Sequence, residues 1–200
     1  HVEQQILGES VGVQDQIMAA HGGFRLLELG TGPNWAVKSL LLPTDYLKAL
    51  EQHVLLGFSG ISRTAEEHAR SKVENIKQGK TTEELQAING LAQEAMKAFQ
   101  AQANFEQIGR LLDQSWQQKR RLAAGVSADW MDDLYSTALR HGAFGGKLMG
   151  AGGGGFFLFY CEEKKSKLRS AMAKLGLKEI VFDFDFCGSK LLGDFIDRTN

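Results

Sequence analysis

Asp15 stands in a short polar segment, Gly12-Val13-Gln14-Asp15-Gln16, ahead of the apolar stretch Ile17–Ala20. A carboxylate held by neighbouring amides can serve as a general base. An aspartate in front of a helix can equally be its N-cap, and spacing leaves both roles open. Ser59-Gly60-Ile61-Ser62-Arg63-Thr64 lies where a strand-like run gives way to a helical pattern. The first turn of a helix offers N–H groups to an anion, and Arg63 there suits a phosphate or a sugar hydroxyl. The plainer alternative makes Ser62 a cap and Arg63 a solvated side chain. Lys119-Arg120-Arg121 closes another helical stretch. Cations favour that end through the helix dipole. Lys119 and Arg120 also follow Trp116 by three and four residues, so they continue the apolar stripe and favour an anionic partner. The histidines, His1, His21, His53, His68 and His141, have no ligand spacing, and no zinc site is expected.

Glycine density is the other signal. Gly146, Gly150 and Gly152–Gly155 crowd one segment that runs into Phe156-Phe157-Leu158-Phe159-Tyr160. Glycine lowers stability through backbone entropy, so this density implies positive φ angles or backbone packed closely on another surface or a ligand. A P-loop would place its lysine after the last glycine, and Lys147 comes before. Gly150, Gly152 and Gly155 spell Gly-x-Gly-x-x-Gly, but that fingerprint needs a following helix and a strand follows here. A tight β-hairpin connection is the simple alternative.

These residues must be positioned by a series of elements. Residues 23–30 and 35–42 flank Gly30-Thr31-Gly32-Pro33-Asn34 and predict a hairpin. Asp45 is expected to cap a helix through Gln52, and His53–Phe58 to form a strand. A helix is predicted from Ser62 to about Lys77, ending at Gly79. A second starts near Thr81, with Glu84 completing a capping box, and buries Leu85, Ile88, Ala92, Met96 and Phe99. A third starts at Asn104, with Gln107 three residues on, and buries Phe105, Ile108, Leu112 and Trp116. A fourth runs from Ser127 to about Arg140. Phe156–Tyr160 reads as a strand, Glu162–Leu175 as a helix, and Ile180–Cys187 as a closing strand that alternates Phe182, Phe184 and Phe186 with Asp183 and Asp185. From residue 53 this order is a split β-α-β arrangement with extra helices, an α+β fold with an antiparallel sheet.

The chain has 200 residues and a formal net charge of −1. It can bury a substantial core, and its charge balance argues against nucleic-acid and membrane partners. No apolar run is long enough to span a bilayer, and the first residues do not read as a signal peptide. Cys161 and Cys187 lie outside any Cys-x-x-Cys spacing and are expected in or beside strands, in a reducing, cytoplasmic setting. His1 opens the chain inside what reads as an amphipathic helix, as in a fragment or processed product.

Lys147-Leu-Met-Gly-Ala-Gly-Gly-Gly-Gly-Phe156 resembles the third motif of the GHMP small-molecule kinases. Val13-Gln14-Asp15-Gln16 resembles the segment that carries the family's catalytic aspartate. Ser59–Thr64 and Ser115–Leu122, with Gly125-Val126-Ser127, resemble most the branch acting on D-glycero-D-manno-heptose 7-phosphate, with L-fucokinase domains as near neighbours. The resemblance runs from residue 1 to about 192. The family's second motif, Pro-x-x-x-Gly-Leu-Gly-Ser-Ser, which wraps the triphosphate, is absent from this sequence.

The resemblance implies the C-terminal part of an ATP-dependent kinase, inactive alone. Residues 1–52 would be the remainder of a ribosomal S5 domain 2-like N-terminal domain, and 53–200 a ferredoxin-like GHMP C-terminal domain with inserted helices. By the same resemblance Asp15 would be catalytic and Glu3 would bind Mg²⁺. Gly150, Gly152, Gly153 and Gly154 would border the ATP site, and Arg63, Thr64, Lys119 and Arg120 would hold the substrate. The expected reaction phosphorylates the anomeric hydroxyl of the heptose 7-phosphate, on the way to nucleotide-activated heptose for lipopolysaccharide. Expected partners are that phosphosugar, the N-terminal kinase half and, in a homodimer, a second copy. An L-fucokinase-like enzyme and a non-catalytic regulatory member of the fold are the alternatives.

Overall fold

Two apolar runs, each able to be buried on both faces, set the centre of the sheet. They are β3 (Val54–Phe58) and β5 (Phe156–Cys161), paired antiparallel from Val54↔Tyr160 to Phe58↔Phe156. The computed structural model describes residues 6–8, 12–30, 34–61, 74–123, 126–150 and 152–190. They form two compact units, one taking in Leu42–Phe182 and the other Gly12–Leu41 with residues 183–190.

In the larger unit, α2 (Thr44–Gln52) leads into β3. A helical turn at 74–77 precedes α3 (Thr82–Gln100), α4 (Phe105–Arg120) and α5 (Asp129–Arg140). Then come β4 (Ala143–Leu148), β5, α6 (Ser166–Lys174) and β6 (Lys178–Ile180). The sheet order is β4-β5-β3-β6 and every neighbouring pair is antiparallel. This is the expected split β-α-β sheet with helices inserted after its first strand. The core lies where α4, α5 and α6 cover it: Trp116, Leu134, Tyr135, Ala138, Leu148, Phe157, Phe159, Leu168 and Met172 are all buried. Phe157 and Phe159, two apart and so on one face, stack at 5.7 Å.

Helix α4 lies directly on β4. Gly109 and Gly145 face each other there, and a methyl group on Gly145 would overlap the Gly109 carbonyl. Tyr135 ties α5 into the same contact. Its hydroxyl donates to Asp113 Oδ1 at 2.7 Å and accepts from the Gly146 N–H at 3.1 Å. Burial, then the neighbouring Asp113 carboxylate, push this phenol well above the ordinary tyrosine range.

Several local expectations are corrected. Asn104 caps α4 as predicted, accepting from the Gln107 N–H at 2.9 Å, but the capping box at Thr81 does not form. Thr81 holds the cap position with its buried hydroxyl unpartnered among the described residues, while Thr82 Oγ1 donates to the Gly79 carbonyl at 3.1 Å. Asp45 lies inside the first turn of α2, behind Pro43 at the cap. On α3, Leu85, Ile88, Met96 and Phe99 are half-buried and Ala92 is exposed. Ala98 is buried instead, beside the turn where its carbonyl accepts the Ala103 N–H. Helix α6 starts at Ser166 rather than Glu162, and Lys165, at its cap, is drawn inward. Its ammonium donates to the carbonyls of Gln52 (3.0 Å) and Val54, and burial lowers its pKa. The closing strand is Lys178–Ile180 and shares only Ile180 with the expected Ile180–Cys187. Alternation alone suggested eight residues, but only Leu56–Phe58 of β3 pair with it, and from residue 183 the chain belongs to the second unit.

In that second unit α1 (Gln14–His21) precedes the predicted hairpin of β1 (Arg25–Leu29) and β2 (Trp35–Ser39), in register from Arg25↔Ser39 to Leu29↔Trp35. Residues 185–189 join it: the Gly23 N–H donates to Asp185 O at 2.6 Å and the Ser189 N–H to Ala20 O at 3.1 Å. No residue of α1, β1 or β2 is buried. No helix among the described residues is long and apolar enough to cross a membrane.

The two cysteines differ. Cys161 is buried in β5, and burial pushes its thiol up to about 11. Cys187 is exposed and outside any strand, against expectation. With a thiol-specific disulfide reagent at pH 8, Cys187 is expected to react rapidly and Cys161 only after unfolding. Equal fast labelling of both, read by peptide mass, would contradict the buried position of Cys161.

Candidate functional site

The glycine loop, residues 149–155, is the connection of the β4–β5 hairpin, closed at its base by the Met149 N–H donating to Phe156 O at 2.8 Å. The hairpin alternative and the close-approach reading therefore both hold. A strand follows the loop, as expected, and not a helix. Two positions show why side chains are excluded. Gly152 has φ +118° and packs on the Val126 backbone, where a Cβ would meet Cα at 3.1 Å. At Gly154 a Cβ would come within 2.6 Å of the Ile61 carbonyl oxygen.

Two other motifs supply the loop's partners. The Ser59 N–H donates to Gly155 O at 2.9 Å, and the Gly155 N–H to Ile61 O at 3.0 Å and Ser59 Oγ at 3.2 Å. The Gly153 N–H reaches Val126 O at 3.4 Å. Lys119, only 8% exposed, donates from Nζ to Leu148 O and Gly150 O, both at 2.7 Å, and lies 5.8 Å from the Trp116 ring centre. The structure thus brings Ser59–Ile61, Lys119 and Val126 onto Gly150 and Gly152–Gly155.

Arg120, the next residue, turns elsewhere. Its guanidinium donates to Asp132 Oδ2 at 2.5 Å and to Gln117 Oε1 at 3.3 Å, while Ser127 Oγ donates to Asp132 Oδ1 at 2.6 Å. These groups line an open cleft of about 480 Å³, together with Arg121 and Asp129 at the start of α5. The Arg120–Asp132 pair is only partly buried, so it contributes little to stability. Two grooves of about 530 and 440 Å³ flank α6 but share no residue with the glycine loop or its partners.

Residues 92–177 match the family model described as GHMP kinases C terminal. These residues have the fold of a GHMP kinase C-terminal domain. This domain spans β4, β5, the glycine loop, Lys119 and Arg120. Over 190 residues the chain is 33% identical to the D-glycero-alpha-D-manno-heptose 7-phosphate kinase of Campylobacter jejuni, covering 92% of this chain and 54% of that protein. It is 27% identical to the bifunctional fucokinase/GDP-fucose pyrophosphorylase of Arabidopsis thaliana, covering 93% of this chain and 18% of that protein. A crystal structure of a D-glycero-D-manno-heptose 1-phosphate kinase from Bacteroides thetaiotaomicron superposes with a TM-score of 0.69 at 24% identity, over 96% of this chain and 53% of the other, and shows the same fold. The chain spans about half the length of the heptose kinase relatives it matches.

Outside the GHMP domain, Asp15 lies in the first turn of α1 and is exposed. It is not the N-cap. Val13 holds that position and makes no side-chain cap bond. Glu3, Arg63 and Thr64, the other expected site residues, lie outside the described residues. Among the described residues no group of three or more His, Cys, Asp or Glu could hold a metal ion. Sequence reasoning missed Asp132 and Val126 as partners of the GHMP motifs. The one usable signal was the Ser127–Asp132 spacing across the start of a predicted helix.

Proposed function

We propose that this sequence works within an ATP-dependent sugar kinase that phosphorylates the anomeric hydroxyl of D-glycero-D-manno-heptose 7-phosphate. The observation that carries the reading is the gathering of Ser59–Ile61, Lys119 and Val126 on the glycine loop of a GHMP domain. The heptose 7-phosphate kinase relative, matched over 92% of the chain, supports the choice of sugar. In this reading Asp15 takes the proton of the attacking hydroxyl. Glu3 would hold Mg²⁺, which takes few protein groups beside phosphates. Gly150 and Gly152–Gly154 border the phosphates of ATP, which supplies the phosphoryl group. Arg63, Thr64 and Arg120 would hold the sugar phosphate, where a guanidinium offers a planar fork, whereas Lys119, expected with them, is buried against the glycine loop. Residues 1–52 belong to an N-terminal kinase domain that supplies the triphosphate-binding motif, 53–200 form the C-terminal domain, and the enzyme is cytoplasmic, with a homodimer as its candidate assembly.

An L-fucokinase-like activity is the second reading, favoured by the match to the Arabidopsis fucokinase over 93% of the chain. The test is turnover of both sugars by the complete kinase with MgATP, with the 200-residue chain alone as an arm expected to be inactive. The heptose phosphate is expected to be phosphorylated far faster than L-fucose. Arg63→Ala or Arg120→Ala is expected to raise KM for the phosphosugar by about tenfold or more, the loss of a charged hydrogen bond of roughly 1.5–3 kcal/mol. KM for fucose stays near its original value. A fall in melting temperature at Arg120→Ala with KM unchanged would reduce Arg120 to its contact with Asp132. Preference for fucose would transfer the substrate assignment.

A further inference from the structure

We propose that Lys119 is a positioning residue that latches the glycine loop, so that it governs nucleotide use and not sugar binding. This rests on the kinase reading above.

Lys119 and Arg120 are neighbours in sequence with different surroundings. Arg120 borders an open cleft, whereas the Lys119 ammonium is buried. Burying an ammonium costs several kcal/mol unless hydrogen bonds replace its water. Its replacements include the carbonyl of Leu148, the last residue of β4, and that of Gly150, the second residue of the loop, both at 2.7 Å. The Trp116 ring lies alongside. Two bonds to carbonyls two residues apart fix the direction in which the chain leaves the strand. They also hold two carbonyl oxygens, the backbone groups that repel an anion, toward the protein interior. On the far side of the loop Gly153 and Gly155 are held by Val126, Ile61 and Ser59. A loop of glycines has many accessible conformations, and these contacts select one. Lys119 is the charged member of the set and grips the β4 end.

The test uses Lys119→Met, which keeps the stem and removes the donors. In the 200-residue chain, hydrogen exchange of the Gly152–Gly155 amides is expected to rise by about tenfold or more, with β3 and β5 amides beyond the loop little changed. In the complete kinase, kcat is expected to fall and KM for MgATP to rise, each by about fivefold or more, with KM for the phosphosugar within about twofold of the original. Lys119→Gln keeps one amide donor and is expected to fall between. It also provides the reading if the methionine variant does not fold. Unchanged loop exchange, or a rise confined to KM for the phosphosugar, overturns the latch. If the complete kinase shows no phosphoryl transfer, the kinase reading fails, and the exchange measurement still decides whether Lys119 holds the loop.

Discussion

Replacing Asp15 with Asn in the complete kinase is expected to lower kcat by at least ~10²-fold while leaving nucleotide affinity nearly intact, as for a group that acts on the proton in flight. Asparagine keeps the size and polarity of the side chain but does not take up a proton at neutral pH. Asp15 occupies the first turn of α1 and is exposed, so the substitution leaves packing untouched. The competing role is purely structural. A carboxylate in the first turn interacts favourably with the helix dipole, worth about 0.3–1 kcal/mol at an exposed site. That role predicts a slightly lower melting temperature and normal turnover. Steady-state kinetics beside thermal unfolding separates the two, and kcat near wild type would remove Asp15 from the reaction. Glu3→Gln should act differently, by raising the Mg²⁺ concentration needed for half-maximal rate.

The largest stability effect is expected at Gly145. A Cβ there would meet the carbonyl carbon of Gly109 at 2.7 Å and Asp113 Cβ at 2.9 Å. Gly109 is helix backbone and has no rotamer to change, so α4 and β4 must separate. Separation also strains the bonds from Tyr135 to Asp113 and Gly146. Overpacking of this kind costs typically about 1–3 kcal/mol, occasionally more. For a chain of this size that corresponds to a fall in melting temperature of roughly 2–4 °C per kcal/mol. Gly145→Ala is therefore expected to melt several degrees lower. Gly90→Ala is the control, because Gly90 lies inside α3 with nothing within 4 Å of a new Cβ. It should raise stability by about 0.5–1 kcal/mol through helix propensity. If the two variants melt together, the close α4–β4 contact is wrong.

Some features of this protein are fixed by neighbours in the chain, and these were legible. The Asn104–Gln107 cap needs only one helical turn. The β5 strand needs only its run of large apolar residues. The glycine loop is written in consecutive residues, and its resemblance to the GHMP kinases agrees with the family match over residues 92–177. The sheet class followed from the order of such local segments.

Other features depend on what lies across the fold. Thr81 and Glu84 have the spelling of a capping box, yet Thr81 is buried and the box does not close. Alternation predicted strand through Cys187, but a strand needs a partner, and β3 offers β6 three residues. Lys119 shows the difference most clearly. Its position on the apolar stripe of α4 was readable from Trp116. Its two acceptors lie 29 and 31 residues further along the chain. A helix pattern says which way a side chain faces, and only the packed sheet decides what it meets. The sequence by itself determined a split β-α-β domain with a glycine-built turn. The tertiary structure decided that the buried lysine beside that turn is spent on holding it, because an ammonium taken out of water must find carbonyls, and those it finds lie at the end of β4 and in the loop.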